Sequence, residues 1–191
     1  NGIVEKIDPN YVPEPGQVFY IPHHPVIRHE AVSTKLRIVY DASSKPSSQF
    51  ASLNDTLHTG PSLIPAIMDV LLRFRAWKFG IVADIEKAFL QVNIDEDQRD
   101  FLRFLWFKDI AEDDLELITM RFNRIVFGVN VSPFLLNATL RRHIITYNSD
   151  DVEFARKLLD SLYVDDVNTG SNSVTAGYEF YQKSRSCLAA G

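Results

Sequence analysis

Two short apolar segments that meet carboxylates constrain the fold of this chain most. Phe79–Ala83 is an apolar run that ends at Asp84, and it is short enough to be a buried strand rather than a helix. Leu162–Gly170 has apolar or β-rich residues on both sides of Asp165 and Asp166. This second pattern predicts a strand, a tight turn at the two aspartates and a returning strand.

These three carboxylates predict a magnesium site if the strands pair. A carboxylate at the end of a buried strand is unfavourable unless it is paired or coordinated. Antiparallel strands would bring Asp84 beside Asp165, and clustered carboxylates suit Mg²⁺. Two such ions form the recurrent clamp for in-line displacement at phosphorus. Two simpler interpretations stay open on the residues alone: Asp84 as the N-cap of a helix over 86–92, and Asp165 and Asp166 as ordinary turn residues.

The rest of the chain mixes predicted helices and strands, which indicates an α+β fold. Residues 1–25 contain five prolines and are expected to be extended. Strands are predicted at Leu36–Tyr40, at Phe101–Phe107 and within Leu115–Phe127, the last two forming a hairpin around an acidic loop. Helices are predicted from Pro61, from Ser132–Pro133 with Ser132 as N-cap, over 151–160 and over 173–190, and a loop is predicted over 43–60.

Composition places the chain among globular proteins and gives no sign of a membrane span. Of its 191 residues, 46% are hydrophobic and 24% charged. No stretch approaches the roughly 20 apolar residues that a spanning helix needs. The single cysteine, Cys187, allows no internal disulfide. The net charge of −5 is not typical of a nucleic-acid binder, but the acids concentrate in 95–116 and 149–166.

Seven stretches of the sequence, in a fixed order, resemble one family of polymerases. They are Lys35–Ser43, Ser52–Asp55, Leu71–Arg75, Ala83–Val92, Leu102–Trp106, Phe127–Phe134 and Tyr163–Asp166. From about residue 17 to its end the chain resembles the fingers and palm of a reverse transcriptase, and in detail those of BEL/Pao-type LTR retrotransposons. The resemblance implies a right-hand polymerase palm, an antiparallel sheet with helices on one face, joined to a fingers subdomain.

The resemblance assigns the catalytic and metal-binding residues. Asp84 and Asp165 would be the principal ligands of two Mg²⁺ ions, for which Mn²⁺ could substitute. Asp166 would be the third carboxylate, and the backbone carbonyl of Ile85 would help to hold the nucleotide-bound ion. The ions would activate the primer 3′-hydroxyl and neutralise the triphosphate and the departing pyrophosphate.

The resemblance also assigns residues to the incoming dNTP. Arg37 would clamp the triphosphate, because the planar guanidinium suits phosphate oxygens. Phe89 would be the steric gate against a 2′-hydroxyl, whereas the residues alone favour a core phenylalanine. Phe127 would pack on the nucleotide, and Gly128 would permit close backbone approach. Arg28 is a candidate for the second cation of the fingers, with Lys35 as the alternative.

The expected organisation is one reverse transcriptase catalytic domain fragment over 1–191. Fingers are expected over about 1–78 and 93–127, and palm over about 79–92 and 128–191, with the thumb absent. Expected partners are a primed RNA or DNA template, dNTPs and the remainder of a Pol polyprotein with thumb, RNase H, integrase and protease, but no membrane. The fragment alone is expected to be poorly active. Its expected location is intracellular, in the cytoplasmic virus-like particle of the element.

Two other functions share these features. A domesticated or decayed reverse-transcriptase-like module could act in binding or as a scaffold. The presence of all three carboxylates, Arg37 and Phe89 argues against decay at the site. An RNA-templated RNA polymerase would share the palm, but Phe89 argues against it because such an enzyme needs room for the 2′-hydroxyl.

Overall fold

Antiparallel strand pairs and amphipathic helices make up the described part of the fold. The computed structural model describes residues 2–30, 35–109, 111 and 115–191. The strands are β1 (Val4–Lys6), β2 (His23–Ile27), β3 (Leu36–Tyr40), β4 (Phe79–Asp84), β5 (Arg103–Phe107), β6 (Leu117–Phe122), β7 (Leu162–Tyr163) and β8 (Asp166–Ser171). The helices are α1 (Leu53–Thr56), α2 (Ile67–Arg75), α3 (Ala88–Gln91), α4 (Ser132–Tyr147), α5 (Val152–Ser161) and α6 (Val174–Leu188), and Glu96–Leu102 is a 3₁₀ helix. This mixture of helices and antiparallel sheets agrees with the predicted α+β class.

The chain divides into two compact units. Unit 1 contains Asn1–Thr59 and Phe89–Ser132, and unit 2 contains Gly60–Ala88 and Pro133–Gly191. The predicted limits of fingers and palm differ from these units at 60–78, which groups with unit 2, and at 89–92 and 128–132, which group with unit 1.

Unit 1 is built on a three-stranded sheet in the order β1-β6-β5 and on the β2–β3 hairpin. Alternate side chains of β5 and β6 enter its core, where Phe104 and Phe122 lie beside Ile21, Leu53 and Val126.

Unit 2 is built on a three-stranded sheet in the order β4-β8-β7. Its core contains Ile144 of α4, Leu158 of α5, Val167 of β8 and Phe180 of α6. None of the helices in the described ranges is long and apolar enough to span a membrane.

Several predicted element limits were wrong, for local reasons. The helix predicted from Pro61 begins only at Ile67, because Pro65 disfavours helical backbone at Ile64 before it. The loop predicted over 43–60 contains the short helix α1, which Ser52 and Asp55 fix with a reciprocal capping box.

Predicted limits around the second hairpin also changed. Phe101 and Leu102 belong to the 3₁₀ helix, so β5 begins at Arg103. Ser132 was predicted to be the N-cap of α4 but is its first residue. The hydroxyl of Ser132 donates to the carbonyl of Val126 at 2.7 Å. The β5–β6 hairpin itself is confirmed, and part of its predicted acidic loop, 110 and 112–114, lies outside the described residues.

A buried ion cluster crosses one face of the unit 1 sheet. Asp100, whose side chain is 6% exposed, accepts hydrogen bonds at 3.0 Å from both Arg103 and Arg121. The hydroxyl of Tyr11 donates to the same carboxylate at 2.7 Å, and Arg121 also pairs with Glu5 at 2.6 Å. The cluster therefore attaches the proline-rich N-terminal segment to the sheet.

Ionisation of Asp100 is favoured despite its burial. Burial alone would raise the pKa of Asp100, but the hydrogen bonds from Arg103, Tyr11 and Arg121 outweigh it and lower the pKa. Because the folded pKa lies below the unfolded value of about 3.9, the stabilisation is complete above that pH. It is lost as the pH falls through the folded pKa.

We predict that Asp100→Asn lowers the free energy of unfolding by about 3 kcal/mol at pH 7, because buried Arg103 loses its counter-charge and buried Arg121 keeps only Glu5 as a close one. The variant should also lose less stability than the wild type as the pH falls below about 4. Urea denaturation at a series of pH values measures both effects. Asp97→Asn, a change to an exposed carboxylate of the same 3₁₀ helix, is the control, and an equal loss in both variants would contradict the assignment.

Candidate functional site

The register of β4 against β8 places two of the predicted carboxylates opposite each other. The strands pair antiparallel, with Asp84 opposite Asp166 at one end and Phe79 opposite Ser171 at the other. The backbone N–H of Ile85 donates to the carbonyl of Asp165 at 3.0 Å. Asp84, Asp165 and Asp166 therefore lie at the same end of the sheet in unit 2.

The strand that carries Asp84 is less buried than the sequence suggested. Phe79, Gly80, Val82 and Asp84 are exposed, and Val82 retains 66% of its accessible surface. The prediction of a buried strand was therefore wrong, and Asp84 is a solvent-exposed carboxylate. The N-cap alternative also fails, because Asp84 belongs to β4 and the next helix begins at Ala88.

Burial and like charges both act on the carboxylates at this end of the sheet. Burial and the negative charges of Asp165 and Asp84 raise the pKa of Asp166. The two neighbouring carboxylates are thus close enough to oppose ionisation of the third. A cation at this position would relieve that repulsion.

The donor chemistry fits a hard divalent cation, although the side chains do not form a closed cage. Carboxylate and carbonyl oxygens are the ligands that Mg²⁺ prefers. Across the described residues, no three His, Cys, Asp or Glu side chains are grouped as a ready-made metal site. What the structure provides is a set of oxygen donors at one end of a sheet.

The turn between β7 and β8 has two residues, as predicted, but begins one residue earlier. Tyr163 pairs with Asp166, so Val164 and Asp165 are the two turn residues, whereas the sequence predicted the turn at Asp165 and Asp166. Val164 has a φ of +58°, a conformation that β-branched residues rarely adopt. A positive φ at the first of two turn residues fits a type II′ turn, which normally has glycine there.

Close packing fixes the other end of the same strand pair. Gly170 lies opposite Gly80, and a Cβ at Gly170 would lie 2.4 Å from the carbonyl oxygen of Phe79 and 2.6 Å from the Cβ of Trp77. Only glycine fits this contact. The residues after α2 therefore pack directly on the sheet.

The predicted triphosphate-binding arginines lie on the β2–β3 hairpin of unit 1. Arg37 is exposed on β3, opposite Val26 of β2. The backbone N–H of Arg28 donates to the carbonyl of Lys35 at 2.8 Å, which extends the pairing beyond the strand ends. Arg28 and Lys35 thus lie side by side, and both stay candidates for the second cation of the fingers.

Phe89 and Phe127 form an aromatic pair in unit 1. Their ring centroids are 4.2 Å apart, at an interplanar angle of 50°. Phe89 is only 3% exposed, as expected of a core phenylalanine, whereas Phe127 is 62% exposed. The accessible aromatic surface of the pair therefore belongs mainly to Phe127.

Gly128 occupies a position that has no room for a side chain. Its φ is +89°, and a Cβ there would lie 2.8 Å from the carbonyl oxygen of Tyr40. Asn54 donates from its side chain to the carbonyl of Gly128 at 2.9 Å. The sequence indicated no role for Asn54 itself, although Asn54 lies within Ser52–Asp55, one of the seven stretches that carry the resemblance.

Comparison with known proteins shows that the fold of this chain resembles that of a solved structure. No family model and no curated protein sequence matches the chain. Among solved structures, that of the foamy viral protease-reverse transcriptase in complex with an RNA/DNA hybrid matches with a TM-score of 0.66 over 98% of this chain, at 18% identity. This chain has a reverse-transcriptase-like fold. It spans 20% of the length of the foamy viral chain.

The predicted site residues form two groups in the structure, and their roles and the BEL/Pao assignment stay predictions. Asp84, Ile85, Asp165 and Asp166 lie together in unit 2. The predicted nucleotide-binding residues, Arg28, Arg37, Phe89, Phe127 and Gly128, lie in unit 1.

We predict that Val164→Gly is more stable than Val164→Ala by about 1 kcal/mol, because only alanine retains the penalty of left-handed backbone. Both variants lose the valine side chain, so the difference between them isolates the backbone. The free energy of unfolding in urea measures it. Equal stabilities, or a more stable alanine variant, would show that the turn does not hold Val164 at a positive φ.

Proposed function

We propose that this chain is the fingers-and-palm part of an RNA-directed DNA polymerase, from a retrotransposon of the BEL/Pao type. It would add dNTPs to a primer 3′-hydroxyl on an RNA or DNA template. The observation that carries the proposal is the β4–β8 register, which places Asp84 opposite Asp166 beside the Asp165 turn, in a chain with a reverse-transcriptase-like fold.

Asp84, Asp165 and Asp166, with the carbonyl of Ile85, would hold the two magnesium ions. Burial and the negative charges of Asp165 and Asp84 raise the pKa of Asp166. The part due to repulsion supports this assignment, because an anionic set without a bound cation is unfavourable. Bound magnesium would supply the positive charge that attack on the α-phosphate and departure of pyrophosphate require. The β4–β8 pairing would hold the backbone positions of Asp84 and Asp166 without a bound ion.

Unit 1 would supply the residues that select and orient the nucleotide. Arg37 is exposed on a paired strand, so its guanidinium is free to bind triphosphate oxygens in the bidentate way that suits arginine. Phe127 presents an exposed ring on which a sugar or base could pack. Phe89 supports that ring from the core and would act as the gate against a 2′-hydroxyl.

The nucleic-acid partner is inferred from the structural neighbour. The foamy viral protein is complexed with an RNA/DNA hybrid, and we propose the same class of duplex for this chain. Much of the affinity for that duplex would come from residues outside 1–191. Phosphate contacts by basic residues dominate such affinity, whereas this chain has a net charge of −5. Poor activity of the chain by itself is therefore part of the proposal.

We predict that Asp165→Asn lowers primer extension at least about 100-fold, because it removes one ligand of a metal clamp worth several kcal/mol. The measurement is Mg²⁺-dependent dNTP incorporation on a primed RNA template, on the full-length polypeptide that carries these residues.

Asp160→Asn is the matched control, because Asp160 is a half-exposed carboxylate of α5 that pairs only loosely with Arg156, at 3.8 Å. It should leave extension within about twofold of the wild type, as expected of a surface ion pair. Absence of extension in the wild type would favour the binding or scaffold module. Full activity of Asp165→Asn would exclude the proposed metal site.

A further inference from the structure

Asn54, on the short helix α1, connects the two parts of unit 1 that the proposed function assigns to the nucleotide. We propose that Asn54 is a positioning residue, which holds the Phe127–Gly128 loop in the conformation that accepts a dNTP. This inference rests on the proposed function and adds to it a residue that touches neither the metal nor the reacting atoms.

Both ends of the Asn54 side-chain amide are used. Its Nδ2 donates to the carbonyl of Gly128 at 2.9 Å and to the hydroxyl of Ser43 at 2.8 Å. Its Oδ1 accepts from the backbone N–H of Asn130 at 2.9 Å. A carboxylate of the same shape could not donate, so asparagine fits this position where aspartate does not.

The backbone of Asn54 adds two further bonds. Its N–H donates to the carbonyl of Ala42 at 3.0 Å, and its carbonyl accepts from Nδ2 of Asn130 at 2.6 Å. Three hydrogen bonds, with Gly128 and Asn130, thus join the 128–130 segment to α1. Two more, to Ala42 and Ser43, join α1 to the segment that follows β3. Helix α1 is itself held in unit 1 by Leu53, which is buried in the core.

Apolar packing holds the side chain of Phe127 on one side only, where its ring contacts buried Phe89. The side chain of Phe127 is 62% exposed. Gly128, at a φ of +89°, is the residue type that loses the most conformational freedom when it is fixed. Val126 and Val129 on either side are buried in the core, and the hydrogen bonds to Asn54 add restraint at Gly128 and Asn130.

The same bonds relate Phe127 to Arg37. Arg37 lies on β3, and the chain that leaves β3 passes through Tyr40, which contacts Gly128, to Ala42 and Ser43, which bond to Asn54. One side chain therefore sets the position of the aromatic ring relative to the strand that carries the proposed triphosphate-binding arginine. Loss of Asn54 should weaken nucleotide binding and leave the catalytic carboxylates unchanged.

The test compares Asn54→Ala and Asn54→Asp with the wild type in the full-length polypeptide. We expect each variant to raise the KM for dNTP about tenfold while kcat changes less than about threefold, since hydrogen bonds that order a binding loop are lost. Backbone hydrogen exchange over 128–130 gives a second measurement that needs no activity. It should quicken throughout in Asn54→Ala, whereas in Asn54→Asp the amide of Asn130 should stay protected because the acceptor remains.

Ser52→Ala is the matched control. It removes the cap of the same helix and should lower the unfolding temperature to a similar degree, yet keep the KM for dNTP within about twofold. The inference is overturned if Ser52→Ala raises KM as much as Asn54→Ala, if KM is unchanged in Asn54→Ala, or if exchange over 128–130 does not quicken. A wild type that incorporates no nucleotide would instead overturn the proposed function, and this inference with it.

Discussion

The antiparallel register of β4 against β8 is the constraint on which the proposed chemistry depends. Side chains alternate between the two faces of a sheet, so a slip of one residue would turn Asp84 to the opposite face from Asp166. Two features oppose such a slip. The Gly170–Trp77 contact admits no Cβ, and the bond from Ile85 to Asp165 fixes the chain just beyond the strand ends.

The two units position their candidate site residues and loops through different kinds of contact. Unit 2 sets its carboxylates with backbone pairing above an apolar core of helices. In unit 1, polar side-chain bonds hold two segments: the buried Asp100 cluster attaches the N-terminal segment, and Asn54 holds the loop around Gly128. Such bonds are directional, so they can fix the backbone beside an exposed ring such as Phe127.

The sequence predicted those elements whose signals are local. Phe79–Asp84 and Leu36–Tyr40 are strands in the structure, because each is a short apolar or β-rich segment with turn residues at its end. The turn at Val164 could not be predicted, since a valine at positive φ contradicts local propensity and is imposed by the pairing of Tyr163 with Asp166. Asn54 was missed because its partners at 128 and 130 are distant in sequence, and the exposure of β4 was missed because an apolar run does not show what covers it.

Direct measurement of metal binding tests the central claim, that the three carboxylates act as one anionic site. Mn²⁺ titrated into the protein in the presence of a dNTP can be followed by electron paramagnetic resonance, with Mg²⁺ as competitor. The account predicts that the wild type binds Mn²⁺, that Mg²⁺ displaces it, and that Asp84→Asn and Asp165→Asn each weaken binding at least about tenfold. Equal Mn²⁺ affinity in the wild type and in both variants would contradict it.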